Sequence, residues 1–355
     1  MEEIDEVKIS IILPVYNGEK FLSETLNSIV SQNFDKYELI IINDGSTDRS
    51  KDIIDDFAAR CNKIVVINQS NSGICAARNK GLAIAKGKYI MFCDHDDIYC
   101  ENYLEKAYNT IIEGNFDFVK FGCEEILLSK TEILSTKVCV LVEQEYRNDN
   151  VINLILQYSD YNEYIWDGIY TKDLICGAGG FDTKFLAGCE DIDLMLRLIS
   201  SAKSCKTSHS IMYKHFIRNA FSTSRRFSVN TYDSLKEMYK ARITLAEDRI
   251  ATINKIEPAG LNKKLTNKYR KYEKKKTEQF VYALLGMFSF VSCNLTFLQL
   301  RKEFSKIRNS STVNIAAPMV RLNPITKQSF CAYLFKIRCY TLLALICIIK
   351  RRVSK

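Results

Sequence analysis

Short apolar runs alternate with helical patterns along the first hundred residues. The apolar runs cover Lys8–Leu13, Glu38–Ile42, Ile64–Asn68 and Tyr89–Cys93. Between them, apolar residues recur at helical spacing over Glu19–Val30, over Asp48–Arg60 behind a Ser46 or Thr47 N-cap, and after Asn71-Ser72-Gly73. Continuous apolar strands separated by helices predict an α/β fold whose mainly parallel sheet is covered on both faces.

Polar residues follow each of the four apolar runs. They occupy Pro14–Asn17, Asn43–Asp48, Asn68–Gly73 and Asp94–Asp97. In sheets of this kind, ligands bind beyond the carboxyl ends of the strands. The pattern therefore predicts where the binding edge lies before any family is considered.

The pattern becomes mixed beyond residue 115. It predicts strands at Phe116–Phe121, Lys137–Val142 and Cys205–Tyr213, and helices at Asn150–Gln157, Asp191–Ser200 and residues 228–253. Pro258-Ala259-Gly260 marks a boundary. We therefore expect an α/β domain over residues 1–225, a connecting helix over residues 226–258 and a basic helical region over residues 259–355.

The net charge of +8 is distributed unevenly. Residues 255–355 contain 21 Lys and Arg against 4 Asp and Glu, whereas the rest of the chain contains 29 against 38. A basic tail on an acidic body suggests that the tail binds membrane headgroups or nucleic acid. Because the charges alternate with apolar residues and no recognition motif appears, an anionic membrane surface is favoured and nucleic acid is not expected.

Two apolar segments of the tail bear on membrane attachment. Phe280–Leu300 is long enough to cross a bilayer, but its polar residues favour a packed helical hairpin. Cys339–Ile349 is too short to cross and precedes Lys350-Arg351-Arg352, so it predicts a helix in the headgroup region or one docked on the body. The start MEEIDEVK lacks an apolar signal region, and the 13 Cys include no C-x-x-C pair. These features predict a cytoplasmic protein, with any membrane contact peripheral and on the inner face.

The acidic run Asp94-His95-Asp96-Asp97 is the strongest chemical signal. Three carboxylates within four residues repel one another unless a cation or solvent separates them. Mg²⁺ and Mn²⁺ take oxygen ligands and commonly bind one or two carboxylates together with substrate phosphates. The alternative is a solvated loop whose aspartates cap the helix that begins near Glu101.

Three residues at the same edge are candidates for nucleotide binding, and each has a structural alternative. Asp44 either accepts hydrogen bonds from a base or ribose, or satisfies the amides of its own turn. Tyr16 either stacks on a base or packs locally. Arg78 either reaches a base or phosphate, or forms a surface ion pair.

Glu190-Asp191 opens a later helix, just after Gly188. Acidic residues in a first helical turn complement the helix dipole, whereas a carboxylate above the sheet edge can act as a general base. No rival motif is as strong, since G-x-G-x-x-G after the first strand, G-x-x-x-x-G-K-[ST] and G-x-S-x-G are all absent. Residues 1–20 also lack the Gly-rich, Arg-containing loop with which a sugar nucleotidylyltransferase would bind a triphosphate.

Five motifs occur in one order: PVYNGEKFL, NDGSTD, NSGICAARNKGL, YIMFCDHDD and GGFDTKFLAGCEDIDLMLRL. In order and spacing they resemble the family 2 glycosyltransferases over residues 7–225. The resemblance implies an inverting enzyme with the GT-A fold, a Rossmann-like mixed sheet flanked by helices. It also implies a nucleotide-sugar donor, commonly a UDP-sugar, with Mn²⁺ or Mg²⁺ as cofactor. The implied acceptor is a saccharide or lipid-linked saccharide, as in bacterial surface polysaccharide synthesis.

The resemblance also implies roles for the donor-binding residues. Pro14 and Tyr16 would line the base pocket, and Asp44 would contact the base. Arg78 would approach the nucleotide. Asp94 and Asp96 match the family's Asp-x-Asp, with Asp96 the direct metal ligand and Asp94 nearer the ribose. Asp97 matches a further aspartate that many members carry, and His95, between the two, is expected to point to solvent.

The same resemblance assigns the remaining roles. In the Glu190-Asp191 pair, Asp191 would be the base. Trp166 would stack against the acceptor sugar, unless it is simply a core residue. His215 and Arg218 belong to a looser match and are candidates for a metal ligand and a phosphate contact. Two other functions stay open here: a sugar-phosphate nucleotidyltransferase, and a non-catalytic sugar-binding protein of the same fold.

Overall fold

The computed structural model describes residues 6–129, 132–159, 163–185, 188–218, 229–256, 263–287, 296–308, 342–344 and 346–347. The chain forms two compact units, residues 1–186 with 190–221, and residues 222–355 with 187–189. Pro258-Ala259-Gly260, most of Cys339–Ile349 and Lys350-Arg351-Arg352 lie outside the described residues. The predicted division at residues 225 and 258 therefore stays a prediction.

One sheet of ten strands forms the centre of the first unit, within the ranges just given. Its strands are β1 Ile9–Val15, β2 Tyr37–Asp44, β3 Ile64–Gln69, β4 Tyr89–Phe92, β5 Ile98–Tyr99, β6 Phe118–Ser129, β7 Glu132–Cys139, β8 Gln144–Arg147, β9 Gly168–Thr171 and β10 Ser204–Arg218. Their order is β3-β2-β1-β4-β9-β6-β10-β5, with β7 beside β6 and β8 beside β10.

Strand direction corrects one expectation. The pairs β1–β2, β1–β4, β2–β3 and β6–β10 are parallel, but β9 is antiparallel to both β4 and β6. The sheet is therefore mixed, as the family resemblance implied, and not mainly parallel throughout. A strand buried on both faces has the same apolar pattern whichever way it runs, so the apolar runs could not show this reversal.

Helices flank the sheet, which confirms the α/β class. In the first unit they are α1 Leu22–Val30, α2 Ser50–Arg60, α3 Ile74–Ile84, α4 Tyr103–Glu113, α5 Lys172–Gly177 and α6 Glu190–Ser201, with a 3₁₀ helix over Asn148–Ser159. The predicted Ser46 or Thr47 N-cap of α2 is wrong. The Asp48 Oδ1 atom accepts from the amide of Ser50 at 3.0 Å, and the Thr47 amide instead donates to Asn17 Oδ1 at 2.8 Å.

Close packing of α3 on β1 positions the site. All of β1 is buried, α3 buries Ala77 and Leu82, and a Cβ atom added at Gly81 would lie 2.6 Å from Ile12 Cγ2. Since that distance is too short for any side chain, glycine allows α3 to lie directly against the strand. The helix therefore begins at the carboxyl edge of the sheet, with Arg78 one turn in.

The second unit is helical in its described part, as expected. Its helices are α7 Val229–Ile256, α8 Lys263–Met287 and α9 Phe297–Arg308. Tyr239 of α7 stacks on Phe280 of α8 with ring centroids 4.3 Å apart, and its hydroxyl lies 3.1 Å from that of Thr277. Among the described helices, none combines the length and the apolar character needed to cross a membrane.

Candidate functional site

Arg78 is the centre of the site and is 1% exposed. Its Nη2 atom lies 2.8 Å from Asp94 Oδ1, and its Nη1 atom lies 2.7 Å from Asp191 Oδ1 and 3.2 Å from Glu190 Oε1. One guanidinium therefore joins carboxylates from the loop after β4 and from the start of α6. This burial excludes the surface ion pair that the sequence left open for Arg78.

The ionisation of this cluster follows from burial and charge. Burial opposes the positive charge of Arg78, but the neighbouring Asp191, Asp94 and Glu190 carboxylates outweigh it and raise the pKa of the guanidinium. Burial also raises the pKa of Asp191 to about 7, against the lowering effect of Arg78. A carboxyl group that changes its charge near neutral pH can both accept and release a proton under physiological conditions.

The two acidic residues at the start of α6 differ in access. Glu190 is buried, and its Oε2 atom has no hydrogen-bond partner within the described residues. Asp191 is 14% exposed, and only its Oδ1 atom accepts a hydrogen bond from Arg78. Of the two carboxylates, Asp191 is therefore the better placed to receive a proton from a substrate, through its second oxygen atom.

Each of the three aspartates of the acidic run has its own protein partners. Asp94 binds Arg78, and Asp96 Oδ2 lies 2.8 Å from Arg218 Nη1. Asp97 is buried and accepts from the Tyr213 hydroxyl and the Phe216 amide, each at 2.9 Å. Burial raises the pKa of Asp97 well above its ordinary value. Asp97 therefore connects the loop to β10, while Asp94 and Asp96 remain partly exposed.

His95 does not simply point to solvent, which corrects that expectation. It is half-buried, and its ring packs against Gly18. A Cβ atom added to Gly18 would lie only 2.4 Å from the His95 Cδ2 atom. Its carbonyl accepts a hydrogen bond from the Thr25 hydroxyl at 3.0 Å. The variable position of the Asp-x-Asp run therefore packs against the loop after β1.

Asp44 binds groups outside its own turn, which differs from the alternative that the sequence left open. Its Oδ1 atom accepts from Gln69 Nε2 and the Ser72 amide, both at 2.8 Å, and its Oδ2 atom accepts from the Gly73 amide at 2.9 Å. It thus fixes the turn before α3. Pro14 is buried in β1, and Tyr16 is exposed just beyond it. A contact of these residues with a base stays a prediction.

Trp166 is 2% exposed, which corrects its expected role. Its ring stacks on Tyr164 and Tyr213, with centroid separations of 4.4 Å and 4.2 Å. No ring face is available to a sugar in this arrangement. The burial matches the other interpretation of the sequence, a core tryptophan.

The donor set at the acidic run fits a divalent metal only in part. Each of Asp94 and Asp96 gives one oxygen to an arginine, and the buried Nδ1 atom of His215 has no partner within the described residues. No cluster of three His, Cys, Asp or Glu able to hold a metal occurs in that part of the chain. The predicted three-residue set Asp94, Asp96 and His215 is therefore not assembled. What fits is an ion bound by one or two carboxylates together with donor phosphates.

Neither Lys120 nor Tyr213 was predicted as a site residue from the sequence. Lys120 lies in the middle of β6 and is buried, and Tyr213 of β10 donates to Asp97 and accepts from the Asp94 amide at 3.2 Å. A lysine inside the apolar run FVKFG was a usable signal, because a buried lysine requires a buried partner. The looser family match placed His215 and Arg218, close to Tyr213, near the metal and phosphates, but it did not indicate the contact of Tyr213 itself with the acidic run.

The first unit is an α/β domain whose mixed sheet has acidic side chains clustered at its strand ends. Comparison with known proteins gives its family. Residues 10–161 match the profile of Glycosyl transferase family 2. The chain therefore contains a family 2 glycosyltransferase domain.

Relatives and solved structures agree with this assignment. Glycosyltransferase GlyA of Streptococcus pneumoniae is 42% identical over 110 residues, 31% of this chain and 16% of GlyA. YibD of Escherichia coli, an uncharacterized glycosyltransferase, is 27% identical over 220 residues, 60% of this chain and 62% of YibD. The chain thus matches less than two thirds of either relative. The crystal structure of S. aureus TarS 1–349 with UDP-GlcNAc superposes with a TM-score of 0.58 at 18% identity, over 87% of this chain and 90% of TarS 1–349, which shows a shared fold.

Proposed function

We propose that this chain transfers a sugar, with inversion, from a UDP-sugar to a hydroxyl group of a saccharide or lipid-linked saccharide. The observation that carries the proposal is Asp191, a partly exposed carboxyl group with a pKa of about 7 on the carboxyl edge of the sheet. Its neighbours there are Arg78 and the Asp94 loop. The family and the UDP-GlcNAc held by the structural neighbour TarS support a UDP-sugar as donor.

The chemistry assigned to these residues is a single in-line displacement. The free oxygen of Asp191 takes the proton of the acceptor hydroxyl as its oxygen attacks the anomeric carbon. The bond to the nucleotide diphosphate breaks on the opposite face, which inverts the configuration. Arg78 holds Asp191 in place and favours its ionised form, and Asp44, Pro14 and Tyr16 are assigned to the base side of the donor.

Asp96 and Asp94 are the residues assigned to Mn²⁺ or Mg²⁺. When bound, the ion neutralises the charge that develops on the departing diphosphate. The remaining acidic residue of the run, Asp97, connects the loop to β10 and is not assigned to the metal.

Nucleotide release identifies the reaction. The protein is incubated with UDP- and GDP-sugars and Mn²⁺, and free nucleoside diphosphate and pyrophosphate are both assayed. A glycosyltransferase releases the diphosphate, whereas a nucleotidyltransferase given a nucleoside triphosphate and a sugar phosphate releases pyrophosphate. A non-catalytic sugar-binding protein releases neither, and either of these results would overturn the proposal.

The pH dependence of UDP release is expected to follow Asp191. Because a general base acts only when ionised, kcat/KM should fall as the pH drops below about 7, the pKa of this carboxyl group. The measurement is UDP release at subsaturating donor across the neutral range. An ordinary exposed aspartate has a pKa of about 3.9. If kcat/KM fell only near that pH, the result would contradict the assignment of Asp191 as the base.

Removal of divalent metal is expected to stop UDP release. EDTA treatment should abolish activity, and added Mn²⁺ or Mg²⁺ should restore it, because the diphosphate departs with charge that the ion neutralises. Asp96→Asn should raise the metal concentration needed for half-maximal rate. Asp173→Asn, at an exposed position of α5, is the control and should leave that concentration unchanged. Full activity in EDTA would remove the metal from the proposal.

Peripheral attachment to the inner face of the cell membrane is part of the same proposal. Lys264, Lys268 and Lys271 are exposed and share one face of α8, while Tyr269 and Tyr272 are buried. A lysine near an anionic surface contributes about 1 kcal/mol to binding. The full chain should therefore sediment with vesicles that contain anionic lipid, and changing the three lysines to glutamate should weaken this. Equal binding to purely zwitterionic vesicles would contradict the electrostatic account.

A further inference from the structure

Lys120 lies inside the sheet, where a charged side chain needs an explanation. It is fully buried in β6 between Val119 and Phe121, which are also fully buried. Transfer of an ammonium group from water to such a place is strongly unfavourable unless partners replace the lost hydration. The hydrogen-bond and ionic partners of Lys120 therefore indicate which part of the chain this residue fixes in place.

Those partners fix one stretch of chain, residues 164–167. The Lys120 ammonium contacts the Asp167 carboxylate and the Tyr164 carbonyl, and its Nζ atom lies 3.2 Å from the Tyr170 hydroxyl. The Tyr170 hydroxyl in turn donates to the Ile165 carbonyl at 2.9 Å. Lys120 and Tyr170 together thus bind three of the four residues of the 164–167 segment.

The 164–167 segment is connected to the acidic loop. Trp166 stacks on Tyr213 at 4.2 Å, and the Tyr213 hydroxyl donates to Asp97 and accepts from the Asp94 amide. A displacement of the segment would therefore move Tyr213, and with it the loop that carries Asp94 and Asp96.

A second connection leads to the helix that carries Asp191. The Tyr170 hydroxyl lies 3.5 Å from the Met195 sulfur atom. Met195 is four residues after Asp191 in α6, so the two side chains share one face of that helix. Lys120 and Tyr170 are therefore adjacent to the face of α6 from which Asp191 projects.

We propose that Lys120 is a positioning residue for the transfer reaction. Lys120 fixes the 164–167 segment and supplies a buried positive charge close to Asp191. This rests on the proposed function only in naming Asp191 as the base. Arg78 binds Asp191 directly, whereas Lys120 acts without a contact of its own to that carboxylate.

The charges around both groups agree with this arrangement. Asp191 is influenced by Arg78 of α3 and Lys120 of β6, which lower its pKa, and by Glu190 of its own helix and Asp94, which raise it. Burial lowers the pKa of Lys120, and the Cys123, Asp191 and Glu163 side chains act in the opposite direction. The Asp167 carboxylate in contact with Lys120 also favours the ammonium form.

The test uses a charge-neutral pair of substitutions. Lys120→Met alone would leave Asp167 buried and unpaired, so the double variant Lys120→Met/Asp167→Asn removes both charges and preserves the volume. Lys120→Arg keeps the charge. Lys172→Met is the control, since Lys172 is a part-buried lysine whose ammonium group donates to the Ala85 carbonyl. Thermal melting shows which variants are folded.

The first measurement is the titration of the Asp191 carboxyl group by ¹³C NMR, assigned by its absence in Asp191→Asn. In the double variant this titration should move to higher pH by about half a unit or more, because Lys120 lowers the pKa of Asp191 whereas Asp167 is not among the groups that act most strongly on that carboxyl group. Lys120→Arg and Lys172→Met should leave it near the wild-type pH. A folded double variant that titrates like the wild type would overturn the proposal, as would an equal shift in Lys172→Met.

The second measurement is UDP release in the same variants. The acid limb of kcat should shift with the NMR titration. Should Asp191→Asn retain full turnover, the proposed function fails, whatever the NMR titration of Lys120 variants shows. An unshifted titration in the double variant defeats the Lys120 proposal alone.

Discussion

Asp191→Asn is expected to abolish turnover and to leave donor binding intact. Asparagine has the size and shape of aspartate but cannot accept the acceptor proton, and loss of a general base typically lowers a rate by about 10²–10⁴. The donor should still bind, since Asp191 is not among the residues assigned to the nucleotide. UDP release measures the first effect, and calorimetric titration with UDP in Mn²⁺ measures the second.

Asp193→Asn is the matched control for this prediction. Asp193 lies in the same helix, its side chain is also 14% exposed, and it is paired with Arg197 at 2.7 Å as Asp191 is with Arg78. The two substitutions therefore disturb α6 to a similar degree, but only Asp191 belongs to the cluster around Arg78. Full turnover in Asp191→Asn, or an equal loss in Asp193→Asn, would contradict the assignment of the base.

The sheet edge could be predicted because buried parallel strands have a distinctive sequence. In β1, β2 and β4 every residue is buried, so each strand is mostly apolar and the polar residues at its end mark the ligand edge. Asp94 and Arg78 were placed at that edge on this argument alone. The family resemblance then indicated which residue of the Glu190-Asp191 pair, almost a hundred residues further along the chain, would be the base.

The pairing of those residues could not be predicted. A helical position specifies the direction of the Cα–Cβ bond, but the end of an arginine side chain can reach many places from one Cα atom. The sequence therefore left several possible partners for Arg78. Only the fold shows that Arg78 joins Asp94 to Glu190 and Asp191.

Side chains in the second half of the sheet were the hardest to assign. Trp166 lies within an irregular stretch, YIWDGIY, where an aromatic residue fits either a binding surface or the core. Its burial depends on Tyr213, which is distant in sequence and lies on β10. Similarly, the strand predicted at Lys137–Val142 ends at Cys139 and begins at Glu132, because pairing with β6 decides its limits.

Arg78→Met is expected to destabilise the first unit by about 3–5 kcal/mol, the usual cost of removing one partner from a buried ionic cluster. Methionine fills much of the arginine volume, so the loss is mainly that of the charge shared by Asp94, Glu190 and Asp191. Urea unfolding at pH 8 measures the change. Arg197→Met is the control, because Arg197 is about one third exposed and pairs with Asp193 alone among the described acidic residues, so about 0–1 kcal/mol is expected.

The sign of the pH dependence separates charge from packing in this variant. Without Arg78, which lowers the pKa of Asp191, burial and repulsion from Glu190 and Asp94 should raise that pKa in the folded state further above its value in the unfolded chain. Protonation then favours the folded state, so the stability deficit of Arg78→Met should shrink as the pH falls from 8 towards 5. Arg78→Lys, which keeps the charge but not the forked geometry, should lose less stability and show a weaker pH dependence. A deficit in Arg78→Met that is equal at both pH values would mean that Arg78 stabilises the fold through its packing and not through its charge.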